Sequence, residues 1–476
     1  MSRISFLITT VLLLVVALIV PGCTSTNGIS ATTPITTDTS TTGNSSQTAL
    51  PPGIPLGGSP PSGSPPGGAA PGGISGSPSY NFSGVYTLNG GTATETNAKY
   101  ISTTKDVSGV YVTNGGTLTL VNPTIVTSGD TSSSDASSFY GLNGAMLASN
   151  GSTVMITGGT ISSTGSGANG AIPTGSGTTI RLTNVKITAS GDGGHGVMAT
   201  NGGILVLRNV DIATTGAHGA PLATDRGSGT VTVTGGTVTS SGTDSPGIYS
   251  TGMISVTGAT VISTGTEAAV IEGINTIALT ETALTGGVAK TGGTMIYQSM
   301  SGDANVGTGT FLMKGGSYTV TAGPAFFVTN TNAVISLTGV TVSSVSDTLI
   351  KAAATDRWGT SGKNGGNATF TADGETLKGS LSTDSISSIA ATLKNRSSLT
   401  GSINSAALTL DASSTWIVTG DSALTSLTDS DGISGTSITN IYGNGHRVTY
   451  NGSLAANSAL GGKTYTLANG GTLEPG

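Results

Sequence analysis

The chain has 476 residues, of which 8% are charged and 4% aromatic, with 76 glycines and a formal net charge of −6. So few charges and aromatics would suit a disordered chain, but the mean hydropathy is slightly positive, at +0.16. Short runs of Val, Ile, Leu and Thr also recur, which favours repetitive β structure. No run of basic residues is present, so the composition excludes a nucleic-acid-binding surface.

The first segment is typical of a secretory signal peptide, which we place at residues 1–22. Arg3 is followed by an uncharged run from Ile4 to Val20 that contains LLLVVALIV, and small residues follow it. A membrane span needs about 20 apolar residues with suitable flanks, so we expect export rather than a transmembrane helix.

Cys23 is the one cysteine of the sequence and lies directly after this segment, so it has no intrachain disulfide partner. The stretch VPGC (residues 20–23) resembles the lipobox of bacterial lipoproteins. That resemblance implies that Cys23 becomes the mature N-terminus and carries lipid, so that membrane lipid is a partner. Several acyl chains give stable attachment, whereas one does not. The alternative is ordinary secretion with a free thiol at Cys23.

Residues 23–80 are expected to form a disordered linker behind the lipidated cysteine. The linker is rich in Ser and Thr and then in Pro and Gly, as in PPGIPLGGSPPSGSPPGG, and Asp38 is its single charge. A flexible chain of this length has an end-to-end distance on the order of 40 Å. The linker would therefore hold the following domain clear of a membrane surface.

A repeat begins near Tyr80, and we assign residues 81–476 to one domain. Nine stretches start and end with an apolar residue, and eight of them have Asn or Gly in third place. They are LVNPTI (120–125), ITGGTI (156–161), LTNVKI (182–187), LRNVDI (207–212), VTGGTV (233–238), VTGATV (256–261), LTETAL (279–284), MKGGSY (313–318) and LTGVTV (337–342). Their starts follow one another at a nearly constant interval, apart from two longer gaps. A period of about 24 residues with two longer intervals indicates a solenoid with loop insertions.

Strands of four to six residues cannot bury a face alone, but stacked coils form parallel sheets with a spacing of about 4.8 Å. We therefore predict an all-β fold, a right-handed, single-stranded parallel β-helix of about sixteen coils. Inward residues would be Val, Ile, Leu and Ala, and outward residues mostly Thr and Ser. DTSSSDASS (130–138) reads as an insertion, and the best helical pattern, Ser387–Lys394, lies within a run of strand pattern. LKGSL (377–381), LTGSI (399–403) and LTSL (424–427) continue the repeat to near Leu473.

The stretches 196–224, 229–252, 315–342, 408–427 and 444–476 resemble the passenger repeats of pertactin-type autotransporter adhesins. The resemblance implies a right-handed β-helix displayed on a cell surface. That family carries a C-terminal translocator barrel of alternating ten-residue strands, and no such pattern occurs up to Gly476. We expect the lipid anchor to take its place.

Catalysis is not expected, because the sequence has only 23 acidic residues and sugar hydrolysis needs paired carboxylates. Asp192 and the pair Asp225-Arg226 lie on separate coils. Lys186 and Asp211 align at one coil of separation, which suggests a solvated surface pair. The sequence therefore predicts no enzyme and no cofactor.

Metal binding is an alternative at two sites. His195 and His218 lie in similar contexts about one repeat length apart, so one coil would stack their rings, with Asp192 as a neighbouring donor. Two repeated turn histidines are the more ordinary interpretation. TDSDGI, with Asp429 and Asp431, begins like a calcium loop but lacks the completing acidic residue.

Trp358 and Arg357 form the only charged aromatic motif of the repeat region, ATDRWG (354–359), and could stack on a sugar ring. The competing interpretation is a loop insertion whose Trp packs down on the coil. Trp416 alternates with Val418 and is expected in a strand, either in the core or at the surface.

The sequence thus predicts a secreted, lipid-anchored, non-catalytic protein at the cell surface or outer membrane, adhesin-like or structural in role. Its partners would be a host, cell-surface or environmental polysaccharide or protein. A polysaccharide-binding module is the alternative, and a polysaccharide lyase or hydrolase is a more distant one.

Overall fold

The computed structural model describes residues 80–299 and 301–476. The predicted signal peptide, Cys23 and all but the last residue of the linker lie outside the described residues. Within them the chain winds as a parallel β-helix, and the coils before Thr428 contribute in turn to sheet 1, sheet 2 and sheet 3.

The three sheets account for nearly all the regular structure. Sheet 1 contains Ser83–Asn89, Val107–Thr113, Met146–Ser149, Ala171–Thr174, Val197–Ala199, Leu222–Thr224, Ile248–Ser250, Ala269–Glu272, Thr294–Tyr297, Phe326–Thr329, Thr348–Ala352, Ser380–Thr383, Ile403–Leu410, Ser422–Thr428, Arg447–Tyr450 and Thr472–Pro475. Sheet 2 contains Thr92–Thr96, Thr117–Val121, Thr153–Thr157, Thr179–Thr183, Ile204–Arg208, Thr230–Thr234, Met253–Thr257, Thr276–Thr280, Thr308–Lys314, Thr331–Thr338, Gly366–Asp373 and Ser388–Lys394, and then the second halves of Ile403–Leu410 and Ser422–Thr428. Sheet 3 contains Lys99–Ser102, Thr124–Thr127, Thr160–Ser163, Lys186–Ala189, Asp211–Thr214, Thr237–Ser240, Thr260–Ser263, Ala283–Gly286, Ser317–Val320 and Thr341–Ser344, and is continued by Thr376–Lys378, Ser398–Thr400, Thr415–Ile417, Ser437–Tyr442 and Tyr465–Ala468.

The predicted repeat is confirmed residue by residue. The first residues of the nine stretches stack on one another in sheet 2, each paired in parallel with the next: Leu120, Ile156, Leu182, Leu207, Val233, Val256, Leu279, Met313 and Leu337. Sheet 1 has sixteen strands among the described residues, which agrees with the predicted number of coils.

The third place of each stretch forms the bend between sheets 2 and 3. Asn122, Asn184 and Asn209 have φ of 50°, 55° and 49°, and Gly158 and Gly235 have φ of 67°. These left-handed angles favour Asn and Gly over other residues. Each bend also donates its backbone N–H to the next coil, as Asn184 does to the carbonyl of Arg208 at 2.9 Å.

Sheet 1 is apolar on both faces, and this differs from the expectation of outward Thr and Ser. In Met146–Ser149, Met146 belongs to the central core, whereas Leu147 belongs to a second cluster on the outer face. That outer cluster also contains Tyr111, Ile172, Met198, Ala223, Tyr249, Val270, Met295, Tyr297 and Phe327. The expectation holds for sheets 2 and 3, where outward Thr and Ser predominate.

The insertion expected at 130–138 overlaps a helix that was not predicted from the sequence, Ser134–Tyr140. The Ser133 side chain accepts the Ala136 N–H, and Gly141 ends the helix with φ of 81°, as a helix cap and a left-handed stop should. The segment with the best helical pattern forms the strand Ser388–Lys394 instead. The described residues also contain a 3-10 helix, Ala455–Leu460, near the C-terminus.

One of the C-terminal coils is shorter than predicted. Leu377 pairs with Leu399, as the alignment of LKGSL with LTGSI predicts. The next step was wrong, because Leu399 pairs with Trp416, which precedes the expected Leu424 in the chain. Leu424 instead pairs with Ala406, at a point where the long strands bend from sheet 1 into sheet 2.

Candidate functional site

Three insertions of the solenoid pack on the outer face of sheet 1. The helix Ser134–Tyr140 reaches it through the Phe139 carbonyl, which accepts from Asn201 Nδ2 at 2.7 Å. The loop between Tyr297 and Thr308 and the segment 353–364 reach the same face farther along. Together the three insertions contact one side of the β-helix.

Six side chains beneath these insertions form a group that we call the acidic cluster. It consists of Asp225, Arg226, Tyr249, Glu272, Tyr297 and Asp303. The first five lie in or directly after sheet 1 strands, and Asp303 belongs to the loop after Tyr297.

Glu272 lies at the centre of the acidic cluster and is only 1% exposed. Its carboxylate accepts hydrogen bonds from the hydroxyls of Tyr249, at 2.8 Å, and Tyr297, at 2.9 Å. The Ser299 hydroxyl donates to it as well. Burial, with the charge of Glu272 as the next cause, raises the pKa of both tyrosines well above its usual value. The two phenols therefore stay protonated and act as donors.

Asp225 and Arg226 join the acidic cluster to the helix. Asp225 Oδ1 accepts the Arg226 backbone N–H at 2.6 Å. The Arg226 guanidinium donates to Asp303 Oδ1 at 2.9 Å and lies 3.8 Å above the Phe139 ring. Burial, together with the charges of Asp303 and Glu272, raises the pKa of Asp225 to about 8. Asp225 therefore carries a proton at neutral pH.

The acidic cluster was not predicted from the sequence. Register places Thr251 between Asp225 and Glu272 in one column of sheet 1, because Leu222, Ile248 and Ala269 stack on one another. The nine repeat stretches cover the end of sheet 2 and the start of sheet 3 and leave sheet 1 unaligned. Aligning the sheet 1 strands would have brought the two carboxylates to positions two coils apart.

Trp358 and Arg357 lie beside the acidic cluster. The Trp358 ring is half-buried, with its centroid 4.9 Å from that of Tyr297. Arg357 is exposed, and its Cζ lies 4.4 Å from the centroid of the indole ring. A surface pocket of about 410 Å³ adjoins them, and its lining includes Asp356, Asn364 and Asp384. Tyr297 thus contacts both Glu272 and the residue predicted to bind sugar.

The expected stacking of His195 on His218 was wrong, because Val197 pairs with Leu222 and this register places Ala220 beside His195. His195 is 3% exposed and its Nδ1 lies 3.2 Å from the Ala220 carbonyl. Burial lowers the pKa of His195 to about 4. His218 Nδ1 lies instead 3.9 Å from an Asp244 carboxylate oxygen.

The other candidate ligands already accept hydrogen bonds within the protein. Asp192 Oδ1 accepts the Ala217 N–H at 2.9 Å. Asp429 is buried and accepts from the Gly432 N–H at 3.1 Å and from Asn440 Nδ2 at 2.9 Å. Within residues 80–299 and 301–476, no group of three or more His, Cys, Asp or Glu side chains is arranged to hold a metal ion.

Two further predictions concern single side chains. Lys186 and Asp211 are paired in register, as predicted, but Asp211 Oδ1 accepts the Thr237 N–H at 3.1 Å. Trp416 belongs to the core: it is wholly buried, and its Nε1 donates to the Gly401 carbonyl at 2.9 Å.

Comparison with known proteins gives no relative from which a function can be taken: no protein-family model, curated protein or solved structure matches the chain. In the part of the chain that the structure describes, none of the helices has the length and apolar character needed to cross a membrane.

Proposed function

We propose that the chain is a lipid-anchored, adhesin-like or structural surface protein without catalytic activity, similar in role to pertactin-type passengers. The observation that carries this proposal is the outer face of sheet 3, where hydroxyl side chains recur in most coils. One column contains Thr124, Thr160, Lys186, Asp211, Thr237, Thr260, Ala283, Ser317 and Thr341. A long, weakly charged surface of this kind suits many repeated weak contacts, whose avidity exceeds that of any one of them.

The acidic cluster is compatible with a non-catalytic role. Asp225 is 8% exposed and Glu272 1%, and the carboxylate of Glu272 is already hydrogen-bonded by two phenols. A general acid or base has to reach the substrate within hydrogen-bonding distance. Burial therefore favours a structural role for these carboxylates over hydrolysis or elimination.

The anchor is tested by producing the full chain in a bacterium fed an alkyne-tagged palmitate. We expect label on the wild-type chain and none on Cys23→Ser, which would be released from the membrane. Adhesion of the producing cells to coated surfaces should fall to the background level with the same variant. An unlabelled wild-type chain would refute the anchor, and equal adhesion with both chains would refute the adhesin role.

A polysaccharide-binding module is the second candidate. It is supported by the contact of Arg357 with Trp358 beside a polar pocket, because aromatic faces and bidentate donors are common in sugar sites. We expect Trp358→Ala to weaken glycan-array binding at least tenfold, whereas Tyr442→Ala, which removes an exposed aromatic elsewhere, should leave it unchanged. Absence of any glycan binding by the wild type would eliminate this candidate.

A further inference from the structure

The acidic cluster holds more negative than positive charge, and two of its carboxylates, those of Asp225 and Glu272, are buried. Arg226 is the one cation of the cluster: its guanidinium contacts Asp303 and lies near Asp225, whereas Glu272 and Asp303 both act on Asp225 as like charges. Like charges in a desolvated site cannot all ionise without a large penalty. We therefore expect the cluster to hold a proton at neutral pH and to release it at higher pH. Its contacts should change when the proton leaves.

The cluster is also joined to two insertions. Arg226 contacts the helix through Phe139. On the other side Glu272 holds the Tyr297 hydroxyl, and the Tyr297 ring supports Trp358. A chain of direct contacts thus runs from the buried carboxylates to the half-buried indole.

We propose that the acidic cluster responds to protonation and thereby sets the position of Trp358 and its segment, 353–364, on the outer face of sheet 1. With one proton bound, the net charge of the three carboxylates and Arg226 is −1, and Glu272 holds Tyr297 in place. When the proton leaves, the net charge becomes −2. The repulsion between carboxylates then draws in water and loosens the hold on Tyr297.

Asp225 is the group that takes the proton. It faces Asp303 and Glu272, which favour its protonated form, and Arg226, which favours the ionised form. Tyr249, the remaining titratable neighbour, stays protonated because its own pKa is raised. Thr251, between Asp225 and Glu272 in the column, has a buried hydroxyl oxygen without a hydrogen-bond partner. The transition is therefore expected near pH 8, where Asp225 titrates.

The experiment uses the full chain labelled with 5-fluorotryptophan and followed by fluorine NMR from pH 6 to 9.5. The sequence has two tryptophans, so Trp358→Phe assigns both resonances. We expect the Trp358 resonance to shift or broaden with a midpoint near pH 8, while that of Trp416, buried in the core, stays fixed.

Asp225→Asn, which mimics the protonated group, should remove the transition, whereas Asp211→Asn, on the exposed face of sheet 3, should leave it unchanged. The Trp416 resonance shows in each sample that the β-helix is folded. A Trp358 resonance that does not change in the wild type would overturn the proposal, and so would the same transition in a folded Asp225→Asn chain. Neither result depends on whether the chain binds glycans.

Discussion

At the residue scale, the bends between sheets 2 and 3 depend on glycine for two separable reasons. Gly258 has φ of 62° and open space where a Cβ would lie, whereas a Cβ on Gly236, with φ of 88°, would be 2.3 Å from the Val210 carbonyl oxygen. Backbone in the neighbouring coil cannot move aside as a flexible side chain can. Conformation alone therefore accounts for Gly258, and conformation plus close approach accounts for Gly236.

We expect Gly258→Ala to lower the free energy of unfolding by about 1 kcal/mol, the cost of a left-handed non-glycine residue. Gly236→Ala should lower it by more than about 2 kcal/mol, because the clash is added. Denaturant unfolding of the two variants measures both values. Equal losses would show that the coils can separate locally to admit a methyl group.

Burial of His195 should make the free energy of unfolding decrease at acidic pH. Because its pKa falls from 6.5 to about 4 on burial, the folded chain binds fewer protons than the unfolded chain between these values. Its contribution to stability is therefore fully present above pH 6.5 and is lost as the pH falls towards 4. At pH 5 the loss should be about 2 kcal/mol.

The test variant is His195→Asn, which removes the imidazole. Asparagine should fit there, because Asn169 occupies the equivalent place one coil earlier, where its side chain accepts the His195 backbone N–H. Thermal unfolding at pH 7.5 and pH 5 should show a smaller drop for His195→Asn than for the wild type. A drop of the same size in both would assign the acid sensitivity to other groups.

At the element scale, the helix Ser134–Tyr140 is buried through Ala136, Ser137 and Phe139, of which Phe139 is the largest. Phe139 is 8% exposed and lies under the Arg226 guanidinium, whereas the next residue, Tyr140, is 38% exposed. We expect Phe139→Ala to make the segment 130–141 at least tenfold more sensitive to limited proteolysis, with cleavage confined to it. Tyr140→Ala should change the rate little. Cleavage throughout the rod would show that the helix supports the coils as well.

Elements also differ in how far the sequence predicts them. The strands of sheets 2 and 3 follow from the stretches 120–125 to 337–342, because apolar residues alternate and Asn or Gly marks the bend. The short helix was missed because so short a segment gives too little periodicity, although Ser133 and Gly141 are recognisable ends. The acidic cluster was missed because its members meet only when sheet 1 strands are stacked and the loop after Tyr297 folds back.

At the scale of the whole molecule, the first described coil has a charged residue that protects an unpaired sheet edge. Among the described residues, Ser83–Asn89, Thr92–Thr96 and Lys99–Ser102 pair only with the coil that follows. Glu95 stacks on Leu120, so it occupies an inward place, yet it is exposed. A charge pointing inward at a sheet edge opposes pairing with another chain.

Glu95→Val should therefore promote self-association, seen as a concentration-dependent rise in mass by sedimentation velocity. Thr94→Val, on the outward side of the same strand, is the control and should stay at the wild-type mass. Identical sedimentation of all three chains would show that the edge is protected in another way.

The coil-by-coil pairing has a mechanical consequence. Each coil contacts chiefly its two neighbours, so a pull applied to the two ends of the chain would peel off one coil after another rather than break the whole rod at once. A coil of about 24 residues would release roughly 80 Å of contour length. Force spectroscopy should then give a regular sawtooth of small steps, and a chain that unravels in this way takes up an applied load gradually instead of failing in one event.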